Sequence, residues 1–65
     1  MIKMSRLNGQ EFYINSDLIE MIETTPDTVI TMLNGKKLIV SESVDEVVER
    51  IVHFKARIQR MAKIG

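Results

Sequence analysis

The chain has 65 residues, no cysteine, and nine basic side chains that balance nine acidic ones. A domain of this size buries only about 60% of its unfolded surface, so a core that stands alone is marginally stable. Without cysteine, disulfides, thiolate zinc sites and cysteine nucleophiles are excluded. Oligomerisation is the remaining way to support such a small fold, and we therefore expect a homo-oligomer.

The charges are unevenly distributed along the chain. Residues 1–49 carry four basic and nine acidic side chains, a net charge of −5, whereas residues 50–65 carry five basic and no acidic ones, a net charge of +5. Cations near the end of a helix interact favourably with its dipole, and a basic cluster also suits a surface that faces a partner. Both interpretations of the basic end remain open.

The sequence shows no sign of membrane insertion. The segment before Leu7 lacks the apolar region of a signal peptide, and no apolar run approaches the roughly 18 residues of a membrane helix. We therefore expect a cytoplasmic protein.

Two Asn-Gly pairs, at residues 8–9 and 34–35, indicate hairpins in the first 40 residues. Asn-Gly is typical of a type I′ turn, in which both central residues have positive φ. The strands predicted beside these turns are Ile2 to Leu7, Glu11 to Ile14, Val29 to Leu33 and Leu38 to Val40.

The segment 18–23 is ambiguous between a strand with a bulge and a short helix capped by Asp17. We favour the strand because Thr24 and Thr25 continue it towards a turn at Pro26-Asp27. The following strand, residues 29–33, is apolar on both faces. Such a strand is usually covered on both sides, so we expect the helix on one face and another subunit on the other.

A helix is predicted from Val44 to Ala62, with Ser43 as N-cap and Glu46 closing a capping box. Val48 and Val52 widen its apolar stripe in the first half, as expected for a helix that lies on a sheet. Apolar residues spaced three and four apart form a heptad-like seam: Val44, Val47, Ile51, Phe54, Ile58 and Met61.

About 19 helical residues span about 28 Å, which is longer than a sheet of five-residue strands. The end of the helix is therefore expected to project beyond the sheet and to contact another subunit or a partner. The alternative is a longer contact with the sheet and a frayed tail. The candidate interaction residues are Phe54, Arg57, Ile58, Arg60, Met61 and Lys63.

The sequence contains no recognisable catalytic group of residues. His53 is the only histidine, and its place beside the apolar seam favours a surface or packing role. The acidic side chains between Asp17 and Glu23 match no known ion-binding loop, and neither Asn-Gly pair belongs to a phosphate-binding motif. We therefore predict a protein that is not an enzyme and has no cofactor.

Several segments, in this order and spacing, resemble the FlbD-type small flagellar proteins, which include the swarming motility protein SwrD. The resemblance covers residues 1–55 and implies a non-enzymatic protein of bacterial motility. In the swarming branch it implies support of flagellar motor power or of stator function. The segments that carry it are Leu7 to Gly9, Glu11 to Asn15, Asp17 to Glu20, Ile22-Glu23, Thr25 to Thr31, Asn34 to Lys37 and Glu42 to Val44.

The alternative function is a small nucleic-acid-binding regulator of flagellar genes. Residues 19–51 loosely resemble the core of LytTR DNA-binding domains, although the excess of acidic residues there disfavours binding to DNA. The order of strands and helix also resembles the carbon-storage RNA regulators, but Ser41-Glu42-Ser43 stands where their basic element would be.

The sequence therefore predicts a single α+β domain over residues 1–65. An antiparallel β-meander of four or five strands, with two Asn-Gly hairpins, occupies residues 1–40, and one amphipathic helix occupies residues 44–62.

Overall fold

The computed structural model describes residues 1–64, with side chains described as far as Met61. Five strands precede one C-terminal helix, which confirms the predicted α+β class. The elements are β1 (Ile2–Ser5), β2 (Glu11–Ile14), a 3-10 turn (Ser16–Leu18), β3 (Ile19–Glu23), β4 (Thr28–Met32), β5 (Lys37–Val40) and α1 (Val44–Ile64).

The strands form two antiparallel sheets. One contains β1 and β2, and the other contains β3, β4 and β5 in that order. An isolated pairing between Arg6 and Val40 joins the two sheets at one corner, where the Ser41 N–H also donates to the Ser5 carbonyl at 2.8 Å. The predicted meander is thus interrupted between β2 and β3, where the 3-10 turn lies.

The ambiguous segment forms strand β3, as we favoured. Its pairing with β4 is irregular between Ile19 and Met21, which is the expected bulge. The short helical structure is confined to the 3-10 turn before it, where the Asn15 side chain accepts the Asp17 N–H at 3.0 Å. This local bond explains why the polar residues form a turn rather than continue either strand.

The hairpins are present, but the predicted turn type is wrong. Gly35 has a φ of +88°, whereas no non-glycine residue within 1–64 has a positive φ, so Asn34 cannot serve in a type I′ turn. The Gly35 N–H donates to the Met32 carbonyl and the Met32 N–H donates to the Lys36 carbonyl, at 2.9 and 2.8 Å. These bonds define a three-residue loop that ends in a glycine bulge.

The first hairpin has the same construction. Gly9 has a φ of +89°, its N–H donates to the Arg6 carbonyl, and the Arg6 N–H donates to the Gln10 carbonyl. In both loops the asparagine side chain accepts an N–H two residues later, at 2.9 Å from Gln10 and 3.0 Å from Lys36. The Asn side chain therefore stabilises both turns without entering the left-handed region itself.

The core lies between the two sheets and the first half of α1. Val47 is fully buried, whereas Ile51 and Phe54 are half-buried at its edge. Val48 and Val52 are 46% and 62% exposed, so the prediction that they widen the contact with the sheet is wrong. Consecutive helical residues are about 100° apart, and α1 packs mainly on β1, so its contact face is narrow. The buried apolar residues are Ile2, Met4, Ile14, Ile30, Leu38, Val40 and Val47.

The helix begins with the predicted cap. The Glu46 N–H donates to the Ser43 hydroxyl at 3.2 Å, and that hydroxyl lies 3.3 Å from the Glu46 carboxylate. The Glu46 carboxylate thus accepts a hydrogen bond from the Ser43 hydroxyl. In a full capping box this carboxylate would accept the backbone N–H of Ser43.

Candidate interaction surface

The direction of the helix is set by a buried carboxylate between β5 and α1. Glu42 is only 6% exposed, and its carboxylate accepts the Ser5 N–H at 3.0 Å. Arg50 donates to the other oxygen of Glu42 at 2.9 Å and to the Lys3 carbonyl at 2.6 Å. Since Ser5 and Lys3 both belong to β1, these bonds connect the start of the chain to the first half of α1.

These donors also decide the ionisation of Glu42. Burial by itself raises the pKa of a carboxyl group because it removes water from the charged form. Hydrogen bonds from Ser5, from the Glu42 backbone and from Arg50 outweigh that effect and hold the pKa of Glu42 below its usual value. Glu42 is therefore ionised at neutral pH and pairs with Arg50 as a charged group.

The second half of α1 projects beyond the sheets, as predicted. Every side chain from Lys55 to Met61 is exposed, and we call these seven residues the arm. The molecule measures 42 × 24 × 18 Å, and a helix of 21 residues is about 31 Å long, roughly twice the length of four- or five-residue strands. The sheets are too short to cover the whole helix.

The predicted interaction residues lie together at the arm and its base. Phe54 is half-buried where the sheet ends, and Ile58 and Met61 continue its face of the helix at 47% and 62% exposure. Arg57 and Arg60 are exposed on the same segment. The side chain of Lys63, the sixth predicted residue, lies outside the described side chains.

An open groove of about 650 Å³ lies between the β1–β2 hairpin and α1, from its first turns to the base of the arm. Its lining includes Ile2, Tyr13, His53, Phe54 and Arg57. Two predicted interaction residues thus border a concave surface whose walls carry apolar, basic and acidic side chains. That Tyr13 and His53 line the same groove was not predicted from the sequence, because their proximity depends on how α1 crosses β1.

Two exposed leucines lie at the end of the sheet from which the arm projects. The Leu33 N–H donates to the Leu18 carbonyl at 2.8 Å, and the two residues are 59% and 49% exposed. Lys55, at the base of the arm, lies 3.7 Å from the carboxylate of Asp17 beside Leu18. This pair was not predicted from the sequence, although an apolar residue in a hairpin loop is a usable signal of an exposed contact residue.

The described residues offer little for other kinds of site. No three His, Asp or Glu side chains in this part of the chain are grouped to hold a metal ion. Likewise, no described helix is both long and apolar enough to cross a membrane.

Comparison with known proteins gives one match. A model of the family FlbD, described as flagellar and swarming motility proteins, matches residues 1–59. No curated protein and no solved structure matches significantly. The family match spans both sheets and most of α1, including three of the six predicted interaction residues, Phe54, Arg57 and Ile58. The chain belongs to the FlbD family of flagellar and swarming motility proteins.

Proposed function

We propose that the protein is a non-enzymatic cytoplasmic adaptor that supports flagellar motor power, or the stator, through protein–protein contacts of its arm. The observation that carries this proposal is the exposure of Ile58 and Met61 on a helix that continues past its own core. Exposed apolar side chains grouped on one face are typical of surfaces that bind another protein. Membership of a motility family supplies the cellular process.

The chemistry of the arm indicates the kind of surface that it would bind. Burial of Phe54, Ile58 and Met61 would contribute about 1.5–3 kcal/mol for each fully buried side chain. Arg57 and Arg60 flank them, and arginine is frequent among residues that dominate binding energy. The complementary surface on a motor component is therefore apolar at its centre and acidic at its rim.

Replacement of Ile58 by aspartate should abolish the contribution of the protein to motility without unfolding it. The side chain is 47% exposed, so the folded protein tolerates the charge, whereas an apolar interface would have to bury it. The measurement is swarming of a deletion strain that carries I58D, together with circular dichroism of the purified variant. Gln59→Asp is the matched control, because it adds the same charge at the neighbouring exposed position.

We expect the I58D strain to swarm as poorly as the deletion and the Q59D strain to swarm normally. Normal swarming of the I58D strain would show that the arm is not the contact surface.

The place of action can be tested in the deletion strain. We expect a normal number of flagella per cell and reduced rotation speed under load, because an adaptor of the motor acts after assembly. Loss of flagella would contradict this proposal and favour the alternative of a nucleic-acid-binding regulator. That alternative predicts a salt-dependent shift of flagellar DNA or RNA on a gel, since binding to phosphates weakens as salt increases.

A further inference from the structure

The three-stranded sheet has an outer face that no described element covers. Ile22, Ile30 and Leu38 pair across the sheet and point into the core, so their neighbours along each strand point outwards. We call the outward-pointing set the outer face: Met21 and Glu23 on β3, Val29 and Thr31 on β4, and Lys37 and Ile39 on β5.

Three of the six residues of the outer face are apolar, which is more than a sheet surface in contact with water requires. Met21 and Ile39 are 46% and 45% exposed, and Val29 is half-buried between the neighbouring strands. At the centre, Thr31 is 6% exposed, and its hydroxyl oxygen is buried without a hydrogen-bond partner. The middle of this face is therefore already closed to water by its own side chains.

The strand register places the charges of this face at opposite corners. Met21 and Lys37 lie on either side of Thr31, and Glu23 and Ile39 lie on either side of Val29. One diagonal of the face therefore joins the two exposed apolar residues. The other diagonal joins an exposed acid, Glu23, to an exposed base, Lys37.

We propose that the outer face binds the outer face of a second copy of this chain, forming a two-fold symmetric dimer. The two-fold axis lies between the two facing sheets, parallel to the diagonal from Met21 to Ile39. Rotation about this axis places Met21 opposite Met21 of the second copy, and Ile39 opposite Ile39 of the second copy. The same rotation brings Glu23 of each copy near Lys37 of the other, so both ion pairs form at once. With strands about 4.8 Å apart and a rise of about 3.4 Å per residue, the strands of the two copies cross at roughly 70°. That angle is close to the orthogonal class of sheet packing.

Self-complementarity is the reason to choose a second copy over a different protein. In a two-fold interface the same patch serves both subunits, so an acid and a base must exchange places under the rotation, as Glu23 and Lys37 do. A 65-residue chain without cysteine also gains from an interface that covers a second apolar surface. The helix α1 lies on the core side of the sheets, so the dimer leaves both arms free for the contact proposed above.

Charge exchange gives a direct test of this dimer. Sedimentation equilibrium should find the wild-type protein dimeric. Glu23→Lys alone, or Lys37→Glu alone, should weaken association by roughly tenfold or more, because each variant places two like-charged pairs in the interface. The double variant E23K/K37E restores opposite charges and should dimerise like the wild type. Lys36→Glu is the control: Lys36 is exposed directly after the hairpin loop and does not belong to the outer face, so this variant should leave the dimer unchanged.

Three results would overturn the proposal. A wild-type protein that stays monomeric at all concentrations tested would exclude the dimer. A dimer that neither single variant weakens, or that the double variant fails to restore, would place the interface elsewhere, for instance on the arm. Ile39→Asp gives an independent check, since it should abolish association while circular dichroism shows a folded chain.

Discussion

Replacement of Val47 by aspartate should unfold the protein or detach the helix, the largest effect that we expect from one substitution. Val47 is fully buried where α1 meets the sheets, and it is the most deeply buried of the described side chains of α1. The variant loses the burial of a valine, about 1.5–3 kcal/mol, and must also bury a carboxyl group without a partner. A chain of this length has a total stability of only about 3–10 kcal/mol, so the combined loss is comparable with the whole.

The adjacent valine is a matched control. Val48 is 46% exposed, and Val48→Asp makes the same chemical change at the next position of the same helix turn. We expect V48D to melt cooperatively near the wild-type temperature and V47D to show no cooperative transition, with both measured by circular dichroism against temperature. Equal melting of the two variants would mean that Val47 does not hold α1 on the sheets.

Replacement of Glu42 by glutamine should produce the second largest effect. The carboxylate accepts hydrogen bonds from Ser5 and Arg50 in a nearly closed environment, and glutamine keeps the shape but removes the charge. Hydrogen bonds to charged groups contribute about 1.5–3 kcal/mol each. Arg50 remains partly hydrated, so we expect a net loss of about 1–3 kcal/mol. The melting temperature should fall by about 4–8 °C for each kcal/mol lost in a domain of this size.

The contribution of Glu42 should also depend on pH with a defined sign. Its pKa is lower in the folded protein than the ordinary value of 4.5, so the unfolded chain binds the proton more readily. The stabilisation is present above the ordinary value and is lost as the pH falls through the lowered pKa. The difference in stability between the wild type and E42Q should therefore be constant near neutral pH and narrow below it.

Urea unfolding of the two proteins at several pH values between neutral and strongly acidic measures this difference. Glu49→Gln is the control, since Glu49 is exposed on α1 and should show neither effect. A wild-type to E42Q difference that stays constant into strong acid would show that Glu42 is not the group responsible.

The helix and most strand positions were predictable because their signals are local. The cap at Ser43 depends on Glu46, three residues later. The bulge in β3 arises because this strand has one residue more than the part of β4 with which it pairs. The projecting arm was also predictable, because an apolar stripe of fixed spacing continued for more turns than four- or five-residue strands can cover. These inferences needed no knowledge of which elements meet in space.

The turn type was wrong because the loop length depends on the core. A two-residue loop at Asn34-Gly35 would pair Leu38 with Thr31 and turn Leu38 away from Ile30. The three-residue loop pairs Leu38 with Ile30 instead, so that Leu38 and Val40 both reach the core. A change of one residue in register reverses the faces of a strand, and burial of the apolar side chains selects between the two loops.

By itself, then, the sequence determined the family, the α+β class, the cap of the helix and the excess length that makes the arm. Tertiary structure decided what each surface presents: the pairing of Glu42 with Arg50 and β1, the exposure of Val48 and Val52, and the charges at opposite corners of the outer face. The physical reason is the distance along the chain between the residues that interact. Caps, turns and helical periodicity arise within a few residues, whereas these features join residues that are distant along the chain and meet only when the core forms.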